Sequence, residues 1–279
     1  PRARAGGEPV SRRVGAAEIA ARKGAAFPVI TAYDAPFARC AEAAGIDVIL
    51  VGDSLGMVVL GYDSTAQVEL ADMIRHGAAV ARGAERAHVI VDLPFGAYEA
   101  SDELAVASAT ALVKHGGASS VKLEGGERAA VRIRAIVAAG IPVCAHIGVL
   151  PQTASLGSGF RLKREHDQLL RDADAVVEAG AFAVVLEMVE DALAAELTQR
   201  IAIPTIGIGS GPRCDGQVLV LHDVLGLYPD APPFAKQYAA LGADATAALR
   251  AFAGDVRAGT FPAERAGATS PREANGYRP

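Results

Sequence analysis

The chain contains no tryptophan, and phenylalanine and tyrosine together make up only 5% of its residues. A core without many large rings has to be assembled from Ala, Val, Ile and Leu on helices and fully buried strands, which favours an α/β fold over a β sandwich. Cysteine is scarce too. Cys40, Cys144 and Cys214 stand far apart, which excludes a CxxC zinc pattern and points to reduced, structural thiols in a cytoplasmic protein. Positive charge is not in excess, since 27 Lys and Arg meet 32 Asp and Glu for a net charge of -5. Nothing electrostatic draws such a chain to a phosphate backbone, so no nucleic-acid partner is expected. Long apolar runs are missing as well, and the opening PRARAGGEPVSRRVG lacks the hydrophobic stretch of a secretory signal. The expectation is a soluble protein with no membrane partner.

What is present is hydrophobic in short, repeated pieces. Three stretches, AEAAGIDVILVGD at 41–53, VAAGIPVCAHIG at 137–148 and VEAGAFAVVLE at 177–187, share one pattern. Gly45, Gly140 and Gly180 can take the left-handed conformation that stops a helix, and the apolar, β-branched run after each suits a buried parallel strand. Gly116 and Gly117 play the same part before SSVKLE. Adding strands within 27–34, 88–96, 203–211 and 217–223 gives eight, and helices are expected over 36–44, 67–83, 102–115, 127–139, 167–179, 189–200 and 240–257. A short helix near 15–23 would cover the bottom. Strands alternating with helices require parallel crossovers, and eight such units close into a TIM (β/α)8 barrel, with an open doubly wound sheet as the alternative. The 279 residues suit a single barrel domain over 1–279, since such barrels occupy about 250 residues. Loosely ordered tails are expected near 1–12 and 263–279. The link 207–217 is too short for a helix.

Catalytic groups of a barrel sit where strands leave its C-terminal face. Here the strand ends supply Asp53 and Ser54, Asp92, Lys122 and Glu124, His146, and Glu187. Asp53, Asp92 and Glu124 are hard oxygen donors on neighbouring strands and suit Mg2+ better than zinc. Taken singly, each could equally cap a turn or pair with a base. Lys122 lies two residues before Glu124, so both point to one face, where a compact ammonium can hold a substrate carboxylate or form a salt bridge within the acidic cluster. Glu187 follows an apolar run that would raise its pKa, the setting of a general base, although a carboxylate also suits the helix start just beyond it. His146 could bond a substrate oxygen or position Glu187, or be a satisfied structural group. GIGSG at 207–211 lacks the residues of a nucleotide cradle and reads as a tight loop at the mouth. FRLKRE at 160–165 reads as a solvated loop whose cations could meet an acidic cofactor tail.

The segments VGDSLGMVVLGYDST, DLPFGAY, VKLEGG, AHIGVLPQ, VVLEMV and IGIGSGPRCDGQVLVLHD resemble, in order, the motifs of the ketopantoate hydroxymethyltransferase family. The resemblance runs from about Thr31 to Asp223 and more loosely to about Pro262. It implies a barrel of the phosphoenolpyruvate/pyruvate superfamily, with Mg2+ on Asp53 and Asp92 and more distantly on Glu124. It implies a 2-oxo acid held by Ser54, Asp92 and Lys122, with Glu187 as proton acceptor; Asp53 and His146, at the same strand ends, complete the expected substrate-binding set. It also implies 5,10-methylenetetrahydrofolate as cosubstrate and a decameric homo-oligomer. Two departures stand out: Tyr62 replaces a common His, and the segment from SGFRLKRE to HDQLL is short. The competing readings are a paralogue for another 2-oxo acid, a Mg-dependent carbon–carbon lyase of the same superfamily, and a noncatalytic metabolite-binding barrel. The lyase reading lacks its KKCGH-like cysteine loop.

Overall fold

The computed structural model describes residues 12–154, 157 and 159–263. The tails expected near 1–12 and 263–279 therefore lie outside the described residues, Arg12 and Ala263 excepted. Eight strands, β1 (Phe27–Thr31), β2 (Val48–Val51), β3 (His88–Asp92), β4 (Ser120–Glu124), β5 (Val143–Gly148), β6 (Ala183–Glu187), β7 (Thr205–Ile208) and β8 (Gly216–Leu219), form a closed barrel in chain order. All neighbours are parallel, and β1 pairs with β8 through Phe27 opposite Gly216 and Ile30 opposite Leu219. This is the barrel, not the open sheet.

The helices are α1 (Ala16–Ala20), α2 (Ala35–Ala43), α3 (Leu55–Val58), α4 (Leu70–Gly83), α5 (Asp102–Gly116), α6 (Ala130–Ala138), α7 (Pro151–Ala154), α8 (His166–Glu178), α9 (Asp191–Arg200), α10 (Leu221–Leu225) and α11 (Leu241–Ala258). Their ends follow local chemistry. In α5, the Ser101 side chain accepts from Leu104 N, Asp102 and Glu103 lie in the first turn, Lys114 and His115 in the last, and Gly117 closes it at φ 67°. That arrangement satisfies the free amides at the start and suits the helix dipole at both ends. Gly45, Gly140 and Gly180 have φ of 81°, 85° and 93°, as the repeated pattern requires. Three expectations shift. The strand expected within 217–223 stops at Leu219 because Leu221–Leu225 turns helical, and α4 begins at Leu70 behind a 3-10 turn at Thr65–Gln67. The helix at 240–257 forms, but α11 buries none of its residues, leaving Leu249 and Phe252 exposed.

Strand alternation divides the core in two. One set of side chains, including Ile49, Val91, Leu123, Ala145 and Leu186, packs between strands and helices, while Val29, Leu50, Ile90, Cys144, Val185 and Ile206 fill the barrel's interior. From the bottom, Ile19 of α1 is fully buried among the interior residues. His88 seals the same end, with Nε2 2.8 Å from Ser120 Oγ and Nδ1 3.0 Å from Val14 O. A plugged bottom leaves the C-terminal mouth as the place where inward-facing polar groups can meet a substrate.

Candidate active site

The interior parity that places Ile90 and Cys144 inside also turns Asp92, Lys122, Glu124, His146 and Glu187 inward at the mouth. Register sets them side by side: Asp92 opposite Lys122, Glu124 opposite His146, and Gly148 opposite Glu187. Asp53 and Ser54 follow β2 directly. Every residue singled out from the strand ends is therefore gathered at one mouth.

Lys122 Nζ lies 3.1 Å from Asp92 Oδ2, and the backbone N–H of Asp53 donates to that oxygen at 3.0 Å. Lys122 Nζ is also 3.3 Å from His146 Nδ1. Burial and the Lys122 charge hold the imidazole well below its ordinary pKa, so the ring is neutral. Facing an ammonium, Nδ1 must accept, which puts the ring proton on Nε2, 3.3 Å from Glu187 Oε2. Ser54 Oγ is 2.9 Å from the hydroxyl of the buried Tyr33.

Four carboxylates here share one ammonium. Burial raises all four: Asp92 to about 7 against the pull of Lys122, Asp53 and Glu124 in the same direction, and Glu187 to about 7. Burial works against the Lys122 ammonium, but Asp92, Asp53 and Glu124 outweigh it and keep it charged. Glu187, with 15% of its side chain exposed against 2–3% for Asp92 and Glu124, is the carboxylate open to the mouth.

A tight turn fixes Glu187. Met188 takes φ 47°, and Gly148 takes φ 99° beside it, where a Cβ would come 2.3 Å from Glu187 O. Val149 N donates to Glu187 O at 2.8 Å. GIGSG is only partly the tight loop expected at the mouth, since Gly207 and Ile208 end β7 and the loop starts at Gly209; in it Ser210 clamps the turn by donating to Leu186 O at 2.7 Å and accepting from Val189 N at 3.0 Å. FRLKRE is not free: Lys163 N donates to Met188 O at 2.7 Å, so the segment runs beside the end of β6. Tyr62 is exposed in the loop after α3.

Sequence reasoning passed over three uncharged groups. Gln152, on α7, donates from Nε2 to Asp53 Oδ2 at 2.8 Å and Leu93 O at 2.9 Å, and from its backbone N to Glu124 Oε2 at 3.2 Å. Tyr98 donates to Gln152 Oε1 at 2.7 Å, and Tyr33 supports Ser54. Their position just beyond strand ends, in AHIGVLPQ and DLPFGAY, was the available signal.

Among the described residues, Asp92 Oδ1 and Glu124 Oε1 are buried without a hydrogen-bond partner. Two orphaned carboxylate oxygens in a net-negative pocket are a poor ending for a protein alone and a good one for a hard cation. Among the described residues no three acidic, imidazole or thiol side chains are drawn together as a finished metal cluster. A cation with few protein ligands, completing its shell with water and substrate oxygens, fits that arrangement, as Mg2+ does.

No cysteine serves the mouth. Cys144 lies in the barrel interior with its thiol pushed up to about 12 by burial, Cys214 is buried, and Cys40 is on exposed helix surface. Surface hollows of about 300 Å³ lie at the other end, beside Arg12, Glu42, Asp47 and Arg86. Their charges are already matched, Asp47 by Arg22 and Glu42 by the backbone N–H groups of residues 85–87.

A parallel barrel sealed below, with acids, an ammonium and an imidazole at its mouth, belongs to a known class of fold. Phosphoenolpyruvate phosphomutase from Streptomyces platensis subsp. rosaceus matches it with TM-score 0.61 at 18% identity, covering 88% of each chain. 2,3-Dimethylmalate lyase, a PEP mutase/isocitrate lyase superfamily member, matches with TM-score 0.58 at 18% identity over 92% of each. At that identity the likeness is one of fold. Within this class the chain belongs to the ketopantoate hydroxymethyltransferase family, whose model matches residues 13–264. Relatives named 3-methyl-2-oxobutanoate hydroxymethyltransferase include those of Ignicoccus hospitalis, 51% identical over 87% of this chain and 94% of the relative. That of Thermobifida fusca is 49% identical over 93% and 95%. Among the described residues no helix is long and apolar enough to cross a membrane.

Proposed function

We propose that this chain transfers a hydroxymethyl group from 5,10-methylenetetrahydrofolate to 3-methyl-2-oxobutanoate, giving 2-dehydropantoate for pantothenate and coenzyme A synthesis. The observation that carries the reading is the meeting of Glu187 with Lys122 and the orphaned carboxylates at one mouth, in a chain half identical to enzymes of that name. Lys122, with the Ser54 hydroxyl at the same mouth, holds the carboxylate of the 2-oxo acid. Asp53 and Asp92, with Glu124 behind them, hold Mg2+, which when bound supplies positive charge to the substrate's carboxylate and keto oxygens. Glu187 removes the C3 proton, and a carboxyl with a pKa near neutrality is suited to that transfer. Nε2 of His146 makes no hydrogen bond among the described residues but lies 3.3 Å from Glu187 Oε2, close enough to orient that carboxylate when the two groups align. The carbon nucleophile formed then bonds to the folate-borne one-carbon unit, the bond from that carbon to the folate nitrogen breaks, and one water supplies the hydroxyl oxygen of 2-dehydropantoate as tetrahydrofolate leaves; the fixed mouth supplies the orientation that a branched carbon needs.

The test is NMR of 3-methyl-2-oxobutanoate in deuterated buffer with enzyme and Mg2+, without folate. Exchange at C3 is expected and should vanish in Glu187→Gln while substrate still binds; no exchange by the unaltered enzyme would remove Glu187 as the base. Adding the folate must then yield 2-dehydropantoate. Weaker Mg2+ binding is expected in Asp53→Asn and Asp92→Asn, and unchanged affinity would remove those ligands. The same reading makes the protein a cytoplasmic homo-oligomer, a decamer by resemblance. The apolar side chains exposed on α11 support association, and light scattering of the purified protein checks it.

A further inference from the structure

We propose that Gln152 is the positioning residue of the metal-binding mouth, holding one oxygen of Asp53 and one of Glu124 so that each carboxylate turns its other oxygen toward the cation. The proposal rests on the Mg2+ reading above.

Gln152 is 1% exposed and pairs its side-chain nitrogen, its side-chain oxygen and its backbone N–H. Its amide orientation is forced. The nitrogen faces two acceptors, Asp53 Oδ2 and Leu93 O, and the oxygen faces the Tyr98 hydroxyl, so a flipped amide would set oxygen against oxygen. Through these bonds a residue on the loop after β5 ties together the ends of β2, β3 and β4. The carboxylates show the consequence. Asp53 Oδ2 is taken by the amide, Glu124 Oε2 by the Gln152 backbone N–H, and Asp92 Oδ2 by Lys122 and Asp53 N. One oxygen of each of the three acids is thereby occupied, while among the described residues Asp92 Oδ1 and Glu124 Oε1 are left without partners.

Chemistry selects this residue. A neutral donor can sit among four acids without adding to their repulsion, whereas Glu would add a fifth carboxylate and Asn would fall a methylene short. Met would fill the space but take the amide donor from Asp53 Oδ2 and Leu93 O, and leave the Tyr98 hydroxyl only Glu124 O to donate to, at 3.2 Å. Tyr98 fixes the strut in turn, since its hydroxyl accepts from Glu124 N at 3.3 Å while donating to Gln152.

The test is titration of Mn2+, followed by electron paramagnetic resonance of the free ion, into metal-stripped, full-length, assembled protein without substrate. Partners that orient metal ligands typically contribute about 10–100-fold in affinity. Gln152→Met should therefore weaken Mn2+ binding about tenfold or more. Tyr98→Phe, which keeps the amide but frees it to turn, should weaken binding by a smaller factor and decides the matter if Gln152→Met does not fold. A residue that merely supports the loop would lower the thermal midpoint and leave Mn2+ affinity alone. Affinities within twofold of the unaltered protein in both folded variants overturn the role of Gln152 while sparing the metal site. No Mn2+ binding by the unaltered protein overturns both readings together.

Discussion

Glu187 should announce its burial twice, once in stability and once in rate. Its carboxyl is pushed from 4.5 to about 7 by desolvation, with Lys122 opposing. A carboxyl whose folded pKa is raised binds its proton more tightly in the folded state, so the folded state loses ground as pH rises between those two values. By linkage between those two values, the destabilisation from ionising Glu187 is about 2 to 3 kcal/mol larger at pH 8 than at pH 5. With 15% of the side chain exposed, solvent screens it little. Glu187→Gln cannot ionise and escapes this cost. Urea unfolding of both proteins at fixed concentration with chelator present should thus show the variant gaining on the parent by that amount from pH 5 to pH 8. The kinetic half is C3 deuterium exchange with Mg2+ bound, whose acid limb should fall tenfold per pH unit below the pKa of Glu187, which burial raises and the metal's charge lowers. A stability difference that stays flat across that range in the metal-free protein would refute the claim that burial sets this group's proton affinity.

Three further outcomes follow from the same geometry. Lys122→Met leaves Asp92 and its neighbours buried without their cation, so folded stability at pH 8 should fall by about 3 kcal/mol, and calorimetry should find 2-oxo acid binding lost. Gly148→Ala forces a side chain into a left-handed backbone 2.3 Å from Glu187 O, costing about 2 kcal/mol in denaturant unfolding and slowing C3 exchange. Ile19→Ala opens a void at the sealed end; a loss of about 2 to 4 kcal/mol is expected with kcat nearly unchanged, because the plug is remote from the mouth.

Much of this molecule was legible before any coordinates. Period-two alternation in SVKLE put Lys122 and Glu124 on one face, and the barrel shows both inside with Asp92 and His146 as strand neighbours. The glycine stops at 45, 140 and 180 marked where helices hand over to strands, because only a residue without Cβ takes that backbone cheaply. The end of β8 was less legible: Val220 and Leu221 are as apolar in a strand as at a helix start, and only packing decides between them. Neither the isolation of α11 nor the pinning of FRLKRE beside Met188 left a periodic signal. An amphipathic helix reads the same whether or not it is covered, and a backbone bridge leaves no mark on side-chain type.

The sequence alone determined which acids, ammonium and imidazole stand at strand ends, since alternation and strand order depend on residues near one another along the chain. Only tertiary structure decided which oxygen of each carboxylate is occupied, which nitrogen of His146 carries the proton, and that Gln152 and Tyr98 brace the mouth. Those assignments depend on distances of about 3 Å between residues 24 to 99 positions apart, and such contacts exist only once the barrel has closed.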